Sequence, residues 1–148
     1  MDKTEIFEIL QGSDDKKAYA LTVEMCRESE LSDRYYSLLD EFISLAGSGR
    51  SYERVRGFRL VCAQARWDSL KKLDVAFDRL LALLGDEKPT AVRQYLAALG
   101  DAAIYKPALR NMIADAAAGI DLSKFKSSMA PLIKKDAEAL IDRIGKMT

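Results

Sequence analysis

The sequence predicts an all-α chain, an α–α superhelix of about four helical hairpins forming one domain over residues 1–148, and three observations point there. Gly12, Gly47, Gly49, Gly85, Pro89, Pro107, Gly119 and Pro131 punctuate segments whose apolar residues recur at helical spacing. Strand signals are missing, since no alternating Val/Ile/Thr run is bounded by an Asn-Gly or Asp-Gly dipeptide. A basic residue followed two positions later by an aromatic recurs as Lys17-Ala18-Tyr19, Arg56-Gly57-Phe58 and Arg93-Gln94-Tyr95, spaced by 39 and then 37 residues. That period suits a two-helix unit, and such a unit buries its apolar stripes only with like neighbours stacked beside it.

The first hairpin is expected over Thr4 to Gln11 and Asp15 to Glu28, with Asp2 as cap and Glu5 three residues on. The second runs from Asp33 to Ala46 and from Tyr52 to Arg66. Ser32 is placed to cap its start and Gly47 to close the first helix in a left-handed conformation. The third pairs Leu70 to Leu84 with Thr90 to Ala103, entered through Asp68 or Ser69 and turned through Gly85 and Pro89. A fourth opens at Pro107, runs to Ala118, breaks at Gly119, turns over Leu122 to Phe125 and ends with Met129 to Lys146. Val55, Phe58, Val61, Cys62 and Ala65 share one helix face, as do Val92, Tyr95, Ala98, Leu99 and Ala102. These faces are the expected core, and Ala63, Ala97 and Gly100 are the small residues expected to admit the neighbouring hairpin.

Composition narrows the function classes. With 23 Lys+Arg against 23 Asp+Glu, the chain has no global attraction to nucleic acid or anionic lipid. No apolar run nears the roughly 18 residues that span a bilayer, and Met1 to Glu5 opens a charged segment, so we expect a cytoplasmic protein without membrane contact. Cys26 and Cys62, both within apolar helical patterns, are expected as buried free thiols. The absence of His removes the commonest general base and metal ligand, and no Gly-rich phosphate loop occurs. We therefore expect no catalytic residue, no metal site and no cofactor.

Leu80 to Leu99 resembles the HEAT repeat: an apolar helix, a turn with Asp86 and Pro89, then Val92-Arg93 opening a second helix. The second unit keeps Val55-Arg56 but has Ser48-Gly49 in place of the turn aspartate, and the first keeps only Lys17. Over nearly its whole length the chain is also similar to short bacterial HEAT-like proteins, some of which carry the label SufBD protein. The residues behind this are Ser32-Asp33-Arg34-Tyr35-Tyr36, Ala65-Arg66-Trp67-Asp68, Asp86-Glu87-Lys88-Pro89, Lys106-Pro107, Asp121-Leu122-Ser123-Lys124 and Pro131-Leu132-Ile133-Lys134-Lys135-Asp136. The resemblance implies a fold and no activity, because an iron–sulfur scaffold needs several thiolate or imidazole ligands.

The most unusual local feature is charge. Between Arg50 and Arg66 stand five arginines and one acid, Glu53, a net +4 in a neutral chain. Arg59 and Arg66 lie seven apart and so share a stripe, with Trp67 at the helix end. One reading makes this a docking strip for an acidic peptide or a phosphate-bearing ligand, contacted by forked guanidinium groups beside an aromatic surface. The other, preferred because stacked hairpins commonly bridge neighbours through ion pairs, has these arginines paired with Asp40, Asp78 or Asp101, and Arg93 with Asp86. The leading functional expectation is a non-catalytic protein-interaction module, presenting its second helices to a protein partner, for which an acidic one suits the charge, through Arg56, Arg59, Gln64, Arg66, Trp67 and Arg93. The alternative is nucleic-acid or anionic-ligand binding through the Arg50 to Arg66 strip. Leu96, Asp101 and Ala103 in the next unit interrupt that strip and speak against nucleic acid.

Overall fold

The computed structural model describes residues 1–147, which form helices and turns with no strand among them. Eight α-helices follow in order: α1 (Lys3–Leu10), α2 (Asp15–Glu28), α3 (Leu39–Ala46), α4 (Ser51–Ala63), α5 (Lys72–Leu81), α6 (Pro89–Tyr105), α7 (Arg110–Ala118) and α8 (Ala130–Gly145). Their starts follow local chemistry. The Asp2 carboxylate accepts from the Glu5 N–H at 2.9 Å and that of Asp14 from the Lys17 N–H at 3.1 Å, caps worth about 1 kcal/mol each. Proline stands in the first turn of α6 and of α8, where its missing N–H costs nothing.

Several boundaries differ from the sequence expectation; α4 stops at Ala63 and α5 at Leu81, each followed by a 3-10 turn, and α7 begins at Arg110 after another over Pro107–Leu109. Helix α3 begins at Leu39, not Asp33, after a short 3-10 turn over Tyr36–Leu38. Ser32 turns back on the Arg34 N–H, while the Tyr35 and Tyr36 hydroxyls donate to Glu28 and Asp68, so side chains hold this stretch without a helix. Gly47 has φ −91°, and its N–H closes α3 on the Ser44 carbonyl without a left-handed residue. Helix α5 starts at Lys72. The Asp68 carboxylate accepts from the N–H groups of Lys72 and Leu73, and Lys71 takes the left-handed φ of 57° to make that turn.

Packing places α2, α4, α6 and α8 side by side, with α4 between α2 and α6, and α6 between α4 and α8. Helices α1, α3 and α7 lie against α2, α4 and α8, and α5 reaches α6 through the turn Ala82–Gly85. The four second helices run parallel, as their contacts climb together. Tyr19 and Ser29 meet Arg59 and Gln64, Phe58 and Arg66 meet Tyr95 and Tyr105, and Arg93 and Gly100 meet Asp136 and Arg143. Phe58 and Tyr95, which the sequence superposes, pack tilted at 47° with ring centroids 4.7 Å apart. The closest approach is between α3 and α4 at Gly57. A Cβ there would lie 2.8 Å from the Leu45 carbonyl carbon and the Phe42 carbonyl oxygen, and nearer still to the Ala46 nitrogen.

Buried apolar residues from Ile6 to Ile144 form one continuous core. Both expected faces enter it, with Val55, Phe58, Val61, Cys62 and Ala65 on one and Val92, Tyr95, Leu99 and Ala102 on the other. Ala98 is only half-buried. Each fully buried Phe, Leu or Ile contributes about 1.5–3 kcal/mol, which is ample driving force without metal or disulfide.

Two polar clusters sit at the helix ends. The Asp68 carboxylate accepts from the Tyr36 hydroxyl at 2.5 Å, the N–H groups of Lys72 and Leu73 at 3.0 and 2.8 Å, and the Lys106 ammonium at 2.9 Å. Lys106, itself buried, also reaches Asp74 at 2.7 Å and the Asp68 carbonyl at 3.1 Å. Burial alone would raise the Asp68 pKa. The bonds from Tyr36, Lys106 and Leu73 outweigh it and hold the carboxyl below its ordinary value. At the other ends of the helices, Asp86 accepts from Arg54 at 3.0 and 3.1 Å, the Tyr95 hydroxyl at 2.9 Å and the Lys88 N–H at 3.0 Å. There too burial is overcome by the hydrogen bonds, and the carboxyl is held low.

Candidate functional site

Helix α4 distributes its arginines in several directions. Successive residues on a helix turn by about 100°, so Arg54 and Arg56 point to nearly opposite sides. Arg54 goes to Asp86 and the Ser48 carbonyl. Arg56, buried, donates to the Leu10 carbonyl at 2.7 Å and to Asp15 at 2.9 Å, tying the end of α1 to the start of α2. Arg50 pairs with Glu53 at 3.0 Å. These three arginines are framework.

Their partners are not those expected from the sequence. Asp40 takes Lys72 at 2.9 Å, and neither Asp78 nor Asp101 holds an arginine among the described residues. Arg93 does not meet Asp86, whose carboxylate is filled by Arg54, Tyr95 and the Lys88 N–H. It reaches across to Asp136 of α8, at 2.6 and 3.4 Å. Gln64 is fully buried, its amide donating to the Ser29 hydroxyl at 3.0 Å, and the Trp67 indole donates to the Ser29 carbonyl at 2.7 Å. Both fasten the end of α4 to the end of α2.

Arg59 and Arg66 stand apart from this framework. They line a cleft of about 530 Å³ whose floor is α4, with Cys62 and Ala63, and whose walls are α2, with Tyr19 and Cys26 and with Glu30 in the turn that follows it, and α6, with Gln94, Ala97, Ala98 and Asp101. Sharing Tyr19, Arg59 and Gln94, it continues into a recess of about 240 Å³ beside Asp15, Tyr52 and Arg56. Beyond α6, where Gln94 and Ala97 are again shared, a cleft of about 560 Å³ lies against α8, with Arg93, Asp136 and Arg143. Each second helix thus presents a pair of residues seven apart: Tyr19 and Cys26, Arg59 and Arg66, Gln94 and Asp101, Asp136 and Arg143. The expected small residues divide between this surface and approach of the neighbouring helix. Ala63 and Ala97 leave the cleft open, and Gly100 accommodates the Arg143 guanidinium.

The charges here are largely unspent. Arg59 lies 5.7 Å from the Tyr19 ring and makes no hydrogen bond or ion pair with its side chain among the described residues. Arg66 stacks 4.6 Å over Tyr105 and donates to the Glu30 carbonyl at 3.1 Å, while its Nε is buried without a partner. The carboxylates of Glu30 and Asp101 have no hydrogen-bonding or ion-pair partner among the described residues, and Arg27, near Glu30, is taken up by Glu24 at 2.5 and 3.1 Å. Burial pushes the Cys26 thiol up to about 11. Asp101 and Glu30 add to that and Arg59 opposes it, so the thiolate is scarce at neutral pH.

Of the six residues singled out in the sequence, the structure brings Arg59 and Arg66 together on the cleft and places Arg93 on the neighbouring one. Arg56 touches the recess while bound to Asp15, and Gln64 and Trp67 lie at the helix ends. Sequence reasoning missed Tyr19, Glu30, Gln94, Asp101 and Arg143. The seven-residue spacing that singled out Arg59 and Arg66 would have found Tyr19, Gln94, Asp101 and Arg143 on the flanking helices. Comparison of the chain with protein-family models, with curated proteins and with solved structures returns no match in any of the three.

Proposed function

We propose that this chain is a non-catalytic protein-interaction module, a short HEAT-like solenoid of four hairpins that binds a partner along its second helices. The parallel register of α2, α4, α6 and α8 supports the solenoid, because each helix repeats the contacts of the one before it. The observation that carries the binding surface is the cleft over α4, where Arg59 keeps an unneutralised charge beside an aromatic ring in a chain that pairs Arg50, Arg54, Arg56 and Arg93 with carboxylates. Guanidinium groups beside tyrosines are the side chains that anchor protein partners. A carboxylate of the partner fits Arg59. A polyanion fits less well, since Glu30 and Asp101 line the same cleft and repel phosphates. Free thiols at Cys26 and Cys62 agree with a cytoplasmic setting.

Panning a random-peptide display library on the chain tests this reading. Enriched peptides are expected to lose at least tenfold in affinity on Arg59→Ala plus Arg66→Ala, with unchanged circular dichroism, and to ignore Val75→Glu on the exposed side of α5. Peptides that ignore the cleft and respond to Val75→Glu would overturn it. Retardation of random duplex DNA at low salt, abolished at moderate salt, would favour the nucleic-acid reading instead.

A further inference from the structure

The cleft is charged differently at its two ends. At the upstream end Arg59 stands with Tyr19 and Gln94, and the nearby Asp15 is already bound to Arg56, so the free charge there is positive. Downstream, Glu30, in the turn after α2, and Asp101, on α6, line the cleft together with Arg66. Arg66 supplies one positive charge there against two carboxylates, and its guanidinium is engaged with the Glu30 carbonyl and the Tyr105 ring, which leaves that end negative. Asp101 lies seven residues beyond Gln94, and Arg66 seven beyond Arg59, so the two poles are separated by about 10 Å along the parallel helices. Ala63, Ala97 and Ala98 line the ground between them, with room for a backbone but no charge.

We propose that this cleft takes an extended peptide segment of the partner bearing a carboxylate and, about three residues away, an ammonium or guanidinium group, the carboxylate on Arg59 and the cation beside Glu30 and Asp101. An extended chain advances about 3.3 Å per residue, so a three-residue spacing covers the gap between the poles. This rests on the docking reading above and specifies its ligand. A wholly acidic segment would satisfy Arg59 at the cost of placing like charge beside Glu30 and Asp101. A wholly basic one would fail at Arg59. The segment also has a fixed direction, since turning it round puts both charges against their own sign.

The test uses the same displayed peptides on the full chain. Those that depend on the cleft are expected to carry one acid and one base at a constant spacing and order. Arg59→Glu and Asp101→Arg, introduced singly, should each weaken them at least tenfold. The double variant, with the poles exchanged, should enrich peptides of the opposite charge order. Because both residues are solvent-accessible, the variants are expected to keep the parent's urea midpoint; should either fail to fold, substituting Ala for the acid or the base of the peptide on the parent chain makes the same comparison. Cleft-dependent peptides that are all acidic, or that show no paired charges, would overturn this inference and leave the docking reading standing. If no peptide depends on the cleft at all, the docking reading falls and this inference with it.

Discussion

Asp68 and Asp101 are the same side chain in opposite circumstances. Asp68, at the turn into α5, has no exposed side-chain surface and accepts from a hydroxyl, two backbone N–H groups and an ammonium. Asp101, on the cleft wall, makes no hydrogen bond through its carboxylate among the described residues and faces solvent. Arg54 and Arg59 differ in the same way, one bound to Asp86 and the other bound only to the face of a tyrosine. Charges in the turn clusters are fastened across hairpins, whereas Arg59 and Asp101, on the cleft, are left available. Desolvation is the reason. A buried charge without partners costs several kcal/mol, so charged groups persist in the turn clusters only when fully paired.

Acid should break the turn clusters together. Asp68 and Asp86 ionise below their ordinary value of 3.8 when folded, so between those pH values the unfolded chain binds more protons. Stability is then fully present above the ordinary carboxylate range and lost as pH falls through the folded values. A series of urea midpoints should be level from neutrality to about pH 5 and drop steeply below about pH 4. Removing one cluster alone should have the next largest effect. Asp68→Ala strands the Lys106 ammonium beside Asp74 only and strips the N–H groups of Lys72 and Leu73 of their acceptor, for a loss of about 3–5 kcal/mol in urea unfolding. The cleft should respond least. Arg59→Ala plus Arg66→Ala forfeits two ring contacts and one exposed hydrogen bond to a carbonyl, about 1–2 kcal/mol in the same assay. A large loss there would erase the distinction between the two regions.

The helical architecture was legible because it is written in local terms. The punctuation by Gly12, Gly85, Pro89 and Gly119, the cap at Asp2 and the apolar faces of α4 and α6 all act within a few residues of sequence. What was not legible depends on residues distant in the chain. The partners of Arg54 and Arg93 lie 32 and 43 positions away, and no spacing rule within one helix chooses among the aspartates on offer. Nothing local to Lys106 marks it for burial, and only the arrival of Asp68 and Asp74 satisfies its ammonium inside the fold. The late start of α3 has the same origin, since the Tyr36 hydroxyl is held by a residue of the next hairpin. At the cleft, the i, i+7 pair on α4 was visible but the matching pairs on its neighbours had meaning only once the helices were known to run side by side.

That common direction has an electrical corollary. Every helix carries a partial positive pole at its start and a partial negative pole at its finish, each near half an elementary charge, roughly. The first helix of each hairpin runs the other way and offsets part of this, but the four rods that form the cleft face point together. Their poles accumulate along opposite rims of one face, setting up a lengthwise field in which Asp101 and Glu30 sit towards the negative rim. At the rims of this face the backbone therefore adds to the polarity that the side chains set.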